Sequence, residues 1–112
     1  MEKILVVNND LDTMTLLKSW LEKKAYKVEF TGDKKVVPDL VKEFHPGVVL
    51  VDVLQKDVVE QLKNDEETRT IPVILMTGYT LRQKIPPVPA DDIIEKPFNL
   101  NLLEKKIEKL IA

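Results

Sequence analysis

Apolar positions along this chain fall into two alternating patterns. Ile4-Leu5-Val6-Val7 and Val48-Val49-Leu50-Val51 are short unbroken runs of valine, isoleucine and leucine, the pattern of strands buried on both faces of a parallel sheet. Ile71 to Met76, interrupted only by Pro72 near its start, reads the same way. Lys27-Val28-Glu29-Phe30 alternates polar and apolar residues, as a strand nearer an edge does. Asp91-Asp92-Ile93-Ile94-Glu95 is a shorter and weaker fifth strand candidate. Between these runs the spacing becomes helical. Leu11, Met14, Leu17 and Leu21 form one stripe, widened by Leu16 and Trp20 and capped by Asn9 or Asp10. Val36, Val37, Leu40, Val41 and Phe44 mark a second helix entered at Asp33, with Pro38 tolerable only in its first turn. Val58, Val59 and Leu62 predict a short third helix, and Leu100, Leu103, Ile107 and Leu110 a final amphipathic one capped at Asn99. From Tyr79 to Pro89 the pattern fails, since Pro86, Pro87 and Pro89 leave room for about two helical turns at most.

Strand and helix alternate without repeats or linkers, which predicts a doubly wound α/β fold with a five-stranded parallel sheet. The 112 residues are expected to form one domain, 1–112. In such sheets ligands bind beyond the carboxyl ends of the strands, where the strand order reverses. The residues just past the predicted ends are Asn8, Asn9 and Asp10, then Asp52, Thr77 and Lys96. Amides, carboxylates, a hydroxyl and an ammonium from separate strands should therefore converge.

Composition narrows the chemistry. Apolar residues at 44% and charged residues at 32% suit a packed core under a solvated surface. A net charge of -2, with basic residues dispersed apart from short clusters such as Lys105-Lys106, argues against nucleic acid as a partner. No apolar run is long enough for a membrane span, and Met1 to Val7 turns polar at Asn8, too early for a signal peptide. The absence of cysteine excludes disulfides, thiolate metal sites and cysteine nucleophiles. Three glycines leave no Gly-rich phosphate loop, which sets aside a flavin- or nucleotide-dependent enzyme. A cytoplasmic domain is the expectation.

Ile4-Leu5-Val6-Val7-Asn8-Asn9-Asp10, Val49-Leu50-Val51-Asp52, Met76-Thr77-Gly78 and Glu95-Lys96-Pro97-Phe98, in this order and each at a strand end, resemble the landmarks of response-regulator receiver domains from end to end. The resemblance implies a flavodoxin-like, CheY-like (βα)5 fold and phosphorelay signalling. Asp52 would accept a phosphoryl group from a histidine kinase, a phosphotransfer protein or a small phosphodonor. Thr77 would hydrogen-bond the phosphoryl oxygens, Lys96 would pair with the phosphorylated side chain, and Lys96-Pro97 would be a cis peptide, which X-Pro bonds alone tolerate at modest cost. A downstream protein or output domain would read the state, and no separate substrate turnover is implied. Phosphoryl transfer asks the protein for positioning and charge neutralisation rather than covalent chemistry, and these side chains provide both.

Three departures from that pattern bear on activity. The family places acids where this chain has Asn8 and Asn9, and those acids hold Mg²⁺ with the acceptor. Asn9, Asp52 and the Leu54 carbonyl remain as candidate ligands, with Asn8 or Asp10 beside them. An amide oxygen brings no charge to a hard cation, so Mg²⁺ binding should be weakened. Asp10 either adds its carboxylate to the pocket or only caps the first helix. Asp52-Val53-Leu54-Gln55-Lys56-Asp57 is also shorter than the family's loop and lacks its Met-Pro and Asp-Gly elements; Lys56 either swings to the pocket or stays in solvent. Lastly, the family's aromatic switch residue falls at Ile93, and the third and fourth helical regions are shortened. These departures favour an alternative, a pseudo-receiver acting as a phosphorylation-independent interaction module. His45 reads as a helix-end residue rather than a phosphorylated one, Trp20 as packing or a rim, and Tyr79 as a neighbour of the pocket or of its loop.

Overall fold

The unbroken apolar runs become the middle of the sheet. In the computed structural model, which describes residues 2–78 and 88–111, β1 (Lys3–Val7), β2 (Lys27–Thr31), β3 (Val48–Asp52), β4 (Val73–Gly78) and β5 (Asp92–Lys96) run parallel in the order β2-β1-β3-β4-β5. Among the described residues the helices are α1 (Leu11–Lys23), α2 (Val37–Phe44), α3 (Asp57–Lys63) and α4 (Leu100–Ile111). Strand order reverses between β1 and β3, so a crevice opens beyond their carboxyl ends. That is where Asn8 and Asp52 stand.

Alternation along each strand feeds two cores. Leu5, Val7, Val49, Val51 and Leu75 pack under α2 and α3, against Val41, Val59 and Leu62. Ile4, Val6, Leu50, Ile74 and Met76 pack under α1 and α4, against Leu17, Leu21, Leu103 and Ile107. The helix starts follow from short polar side chains. Asp10 accepts the Asp12 N–H at 3.2 Å, Asp33 the Lys35 N–H at 2.9 Å, and Asn99 the Leu102 N–H at 3.1 Å. Each supplies an acceptor to a first-turn N–H that has no helical partner. Pro38 falls in the first turn of α2 after a 3₁₀ turn at Lys34–Val36, and Lys96-Pro97 is cis.

Three expectations shift. The α1 stripe is narrower than the spacing suggests: Leu17 and Leu21 are buried, while Leu11 and Leu16 are exposed. The fourth strand begins at Val73 rather than Ile71 and runs through Thr77 to Gly78. Pro72 has no N–H to give a ladder, and only its carbonyl joins the sheet edge, accepting from the Val49 N–H at 2.9 Å. The fifth strand runs from Asp92 through Lys96. Tyr79, Pro86, Pro87 and the proline-rich fourth helical region fall in 79–87, outside the described residues.

A polar clamp closes the far end of the sheet. The Lys63 ammonium, at the end of α3, donates to the Arg69 and Ile71 carbonyls at 3.1 and 2.9 Å and to Asp91 Oδ2 at 2.8 Å. Asp91 Oδ2 also accepts the Val73 N–H at 2.8 Å. Lys63→Met strands two carbonyls and a carboxylate together, and should cost about 2 kcal/mol in urea unfolding. An unchanged midpoint would mean that water replaces all three bonds.

Acid should loosen the fold. The Lys34 hydrogen bond lowers the Asp57 carboxyl below its ordinary 3.8, and the Glu67 N–H and Lys42 lower Asp65. Burial pushes Asp92 up, but Lys106 and the Ile93 N–H together more than offset it, so Asp92 is lowered as well. With folded values below the unfolded one, the unfolded chain binds protons first as pH falls. The stabilisation is complete above the unfolded value and is lost as pH falls through the folded values. Thermal melts should be flat down to about pH 5 and fall below it; a Tm that holds or rises on acidification would contradict this.

Candidate functional site

Register sets the strand-end residues in a row. Val7 pairs with Val51, and Asp52 pairs with Met76. Asn8 continues the β1 ladder by donating its N–H to the Thr31 carbonyl at 2.9 Å, so it stands level with Asp52, one strand away. Alternation gives Asn8, Asp52 and Lys96 the phase of Val6, Leu50 and Ile94, on the face covered by α1 and α4. Thr77 has the opposite phase, that of Leu75.

Asp52 is only 6% exposed. Its Oδ2 accepts from the Lys96 ammonium at 3.0 Å, and its Oδ1 from the Leu54 N–H at 3.0 Å. Lys96 therefore reaches back from the edge strand over β4 to the centre of the sheet. The Leu54 bond makes Asp52 the cap of a 3₁₀ turn, Val53–Gln55, that leads directly into α3. The short segment after Asp52 thus needs no longer loop.

Gln55 holds this turn in place, a role the sequence did not reveal. It is buried, and its Nε2 donates to the Gly32 carbonyl at 2.9 Å. Gly32 in turn lies against Asn9, where a Cβ would come within 2.9 Å of the Asn9 Cβ. The turn after β3, the exit of β2 and the exit of β1 are thereby packed together.

The remaining candidates divide. Asn8 and Thr77 are fully buried, and Asn8 Nδ2 and Thr77 Oγ1 have no hydrogen-bond partner. Asn8 Oδ1 accepts the Asp10 N–H. Asp10 caps α1, and its Oδ2 accepts from the Thr13 hydroxyl at 2.6 Å. That hydroxyl, aided by the Asp12 N–H and the nearby Lys96 charge, lowers the Asp10 carboxyl below its ordinary range. Asn9 and Leu54 are exposed. Among the described residues the ion-pair partner of Asp52 is Lys96, not Lys56. Ile93 lies 45% exposed on β5, beside Leu102 and Lys106. His45 ends α2 in a left-handed conformation at φ 53. Trp20 packs partly against the α1–α4 core, with the Lys24 ammonium 5.9 Å from its ring. Tyr79 lies outside the described residues.

This donor set suits Mg²⁺ poorly. Among the described residues no three His, Cys, Asp or Glu side chains gather in a metal-holding group. Asn8 Oδ1 already accepts a backbone N–H and brings no charge to a cation, and the Asn8 N–H₂ cannot ligate one.

A sheet of order 2-1-3-4-5 with a Lys–Asp pair at its switch point defines a class, the doubly wound α/β domains that work at the carboxyl end of the sheet. The family model for the response regulator receiver domain matches residues 4–108, and the chain belongs to that family. Its work is phosphorelay signalling in two-component systems; receiver domains are signalling domains rather than classical enzymes, and they interact with histidine kinases and output domains. The polar-differentiation response regulator DivK of Brucella ovis is 27% identical over 107 residues, covering 88% of this chain and 87% of that protein. The transcriptional regulatory protein CpxR of Escherichia coli is 32% identical over 116 residues, covering 99% of this chain and 50% of that longer protein. The receiver domain of a sensor histidine kinase from Pseudomonas aeruginosa superposes with a TM-score of 0.88 at 19% identity, covering 98% of this chain and 97% of that one; a magnesium ion is coordinated in its active-site cleft. No helix among the described residues is long and apolar enough to cross a membrane.

Proposed function

We propose that the chain acts as one receiver domain over residues 1–112, with Asp52 as the phosphoryl acceptor. The observation that carries this reading is the 3.0 Å contact between Lys96 and a nearly buried Asp52 at the switch point of the sheet. An Asp52 carboxylate oxygen forms the new O–P bond while the donor's P–N or P–O bond breaks, and the leaving group keeps the electron pair. Lys96 neutralises the incoming charge and Thr77 donates its hydroxyl to the phosphoryl oxygens, the positioning and charge balance on which such transfer depends. Mg²⁺ affinity at Asn9, Asp52 and the Leu54 carbonyl, with Asn8 or Asp10 alongside, is weakened. The donor is a cytoplasmic histidine kinase, phosphotransfer protein or small phosphodonor, the reader a downstream protein or output domain. No separate substrate is turned over.

Intact-mass spectrometry after acetyl phosphate treatment tests this. One phosphoryl group should appear on the native chain and none on Asp52→Asn. No incorporation under any condition would leave the phosphorylation-independent module as the function.

A further inference from the structure

We infer that Asn8 converts the place where receivers hold a cation into a hydrogen-bond donor site for the phosphoryl group itself, so that Asp52 is phosphorylated without a divalent metal. This rests on Asp52 being the acceptor. The orientation of the amide is fixed chemically, because a backbone N–H can only donate. The Asn8 atom that meets the Asp10 N–H must therefore be the oxygen, and the N–H₂ group must face the other way. That group is fully buried with no acceptor, although buried donors are almost always paired. It sits one strand from Asp52, level with it and on the same face of the sheet. The acceptor oxygens of Asp52 are already held by Lys96 and the Leu54 N–H.

A phosphoryl group on Asp52 brings three further acceptor oxygens. On the strands flanking β3 stand the two orphan donors, Asn8 Nδ2 and Thr77 Oγ1, and Lys96 adds the positive charge. A carboxylate at position 8 would present acceptors only; it would attract a cation and repel the phosphoryl oxygens. The amide reverses that polarity. When acetyl phosphate is the donor, an Asp52 oxygen bonds to phosphorus, the P–O bond to the acetyl group breaks, and acetate departs with the electron pair. No proton or metal is needed for this balance.

The test is the rate of Asp52 phosphorylation by acetyl phosphate, followed by mass, in EDTA and in saturating Mg²⁺. The native rates should agree within about threefold, since the expected gain from Mg²⁺ is less than that from one charge-assisted hydrogen bond. Asn8→Asp keeps the acceptor for the Asp10 N–H but loses the donor. Its EDTA rate should fall roughly tenfold or more, the worth of one such bond, and Mg²⁺ should restore it. Asn8→Ala should lose about tenfold in both conditions, with circular dichroism showing that both variants remain folded. A native rate in EDTA tenfold or more below that in Mg²⁺, or a folded Asn8→Ala as fast as native in EDTA, would overturn the inference and leave Asp52 as the acceptor. Failure of Asp52 to react in either buffer would remove both readings.

Discussion

Lys96→Met is expected to destabilise the fold by about 2–3 kcal/mol, because it leaves the Asp52 carboxylate buried without its counter-ion. Asp52 is 6% exposed, so water cannot take over that charge. The Leu54 N–H stays on Oδ1, but one hydrogen bond does not replace an ammonium at 3.0 Å. For a domain of this size the loss corresponds to roughly 10 °C in Tm. Asp52→Asn should cost much less. An amide oxygen still accepts from Leu54, and the Lys96 side chain, 28% exposed, can turn its head group to solvent. With Asn at position 52, Lys96→Met should cost under about 1 kcal/mol, leaving a coupling of about 2 kcal/mol in the double-mutant cycle. Additive effects would show that the pair is held by its surroundings and contributes little of its own.

Leu50→Ala should cost more, about 3–4 kcal/mol, a large share of a small domain's total stability. Leu50 is fully buried in β3, the middle strand, between Val6 and Ile74 in the register. It belongs to the core under α1 and α4. Those neighbours are fixed by ladder hydrogen bonds and cannot close over the space a leucine leaves. Urea unfolding should show a lower midpoint with an unchanged slope, the sign of lost stability without a change in compactness. A cost under about 1 kcal/mol would place the packing centre of the sheet elsewhere.

Much of this architecture is legible in the sequence where the signal is local. The β1 and β3 runs are apolar at every position because both faces of those strands are covered, and the caps at Asp10, Asp33 and Asn99 lie next to the helices they start. Boundaries were less legible. Ile71 looks like part of its strand because hydrophobicity does not register the N–H that Pro72 lacks. Leu11 and Leu16 fit a helical stripe whose true width depends on how α1 sits over the sheet. Asn8, Asp52, Thr77 and Lys96 could be placed in one region because strand ends converge in this fold, but the unpaired donors of Asn8 and Thr77 are a property of packing. Gln55 and Lys63 could not be found this way. Their partners Gly32 and Asp91 lie 23 and 28 residues away in the chain, and a polar residue in a turn or at a helix end gives no sign of such a reach.

The most direct test of Asp52 as acceptor is to identify the phosphorylated atom chemically. An aspartyl phosphate is a mixed anhydride that borohydride reduces to homoserine, whereas an unmodified carboxylate and a phosphate ester resist it. After acetyl phosphate treatment, reduction and proteolysis, sequencing by tandem mass spectrometry should find homoserine at position 52, between Val51 and Val53, and at no other aspartate. Homoserine at a different aspartate, or none in protein shown by circular dichroism to be folded, would contradict a receiver built around the Asp52–Lys96 pair.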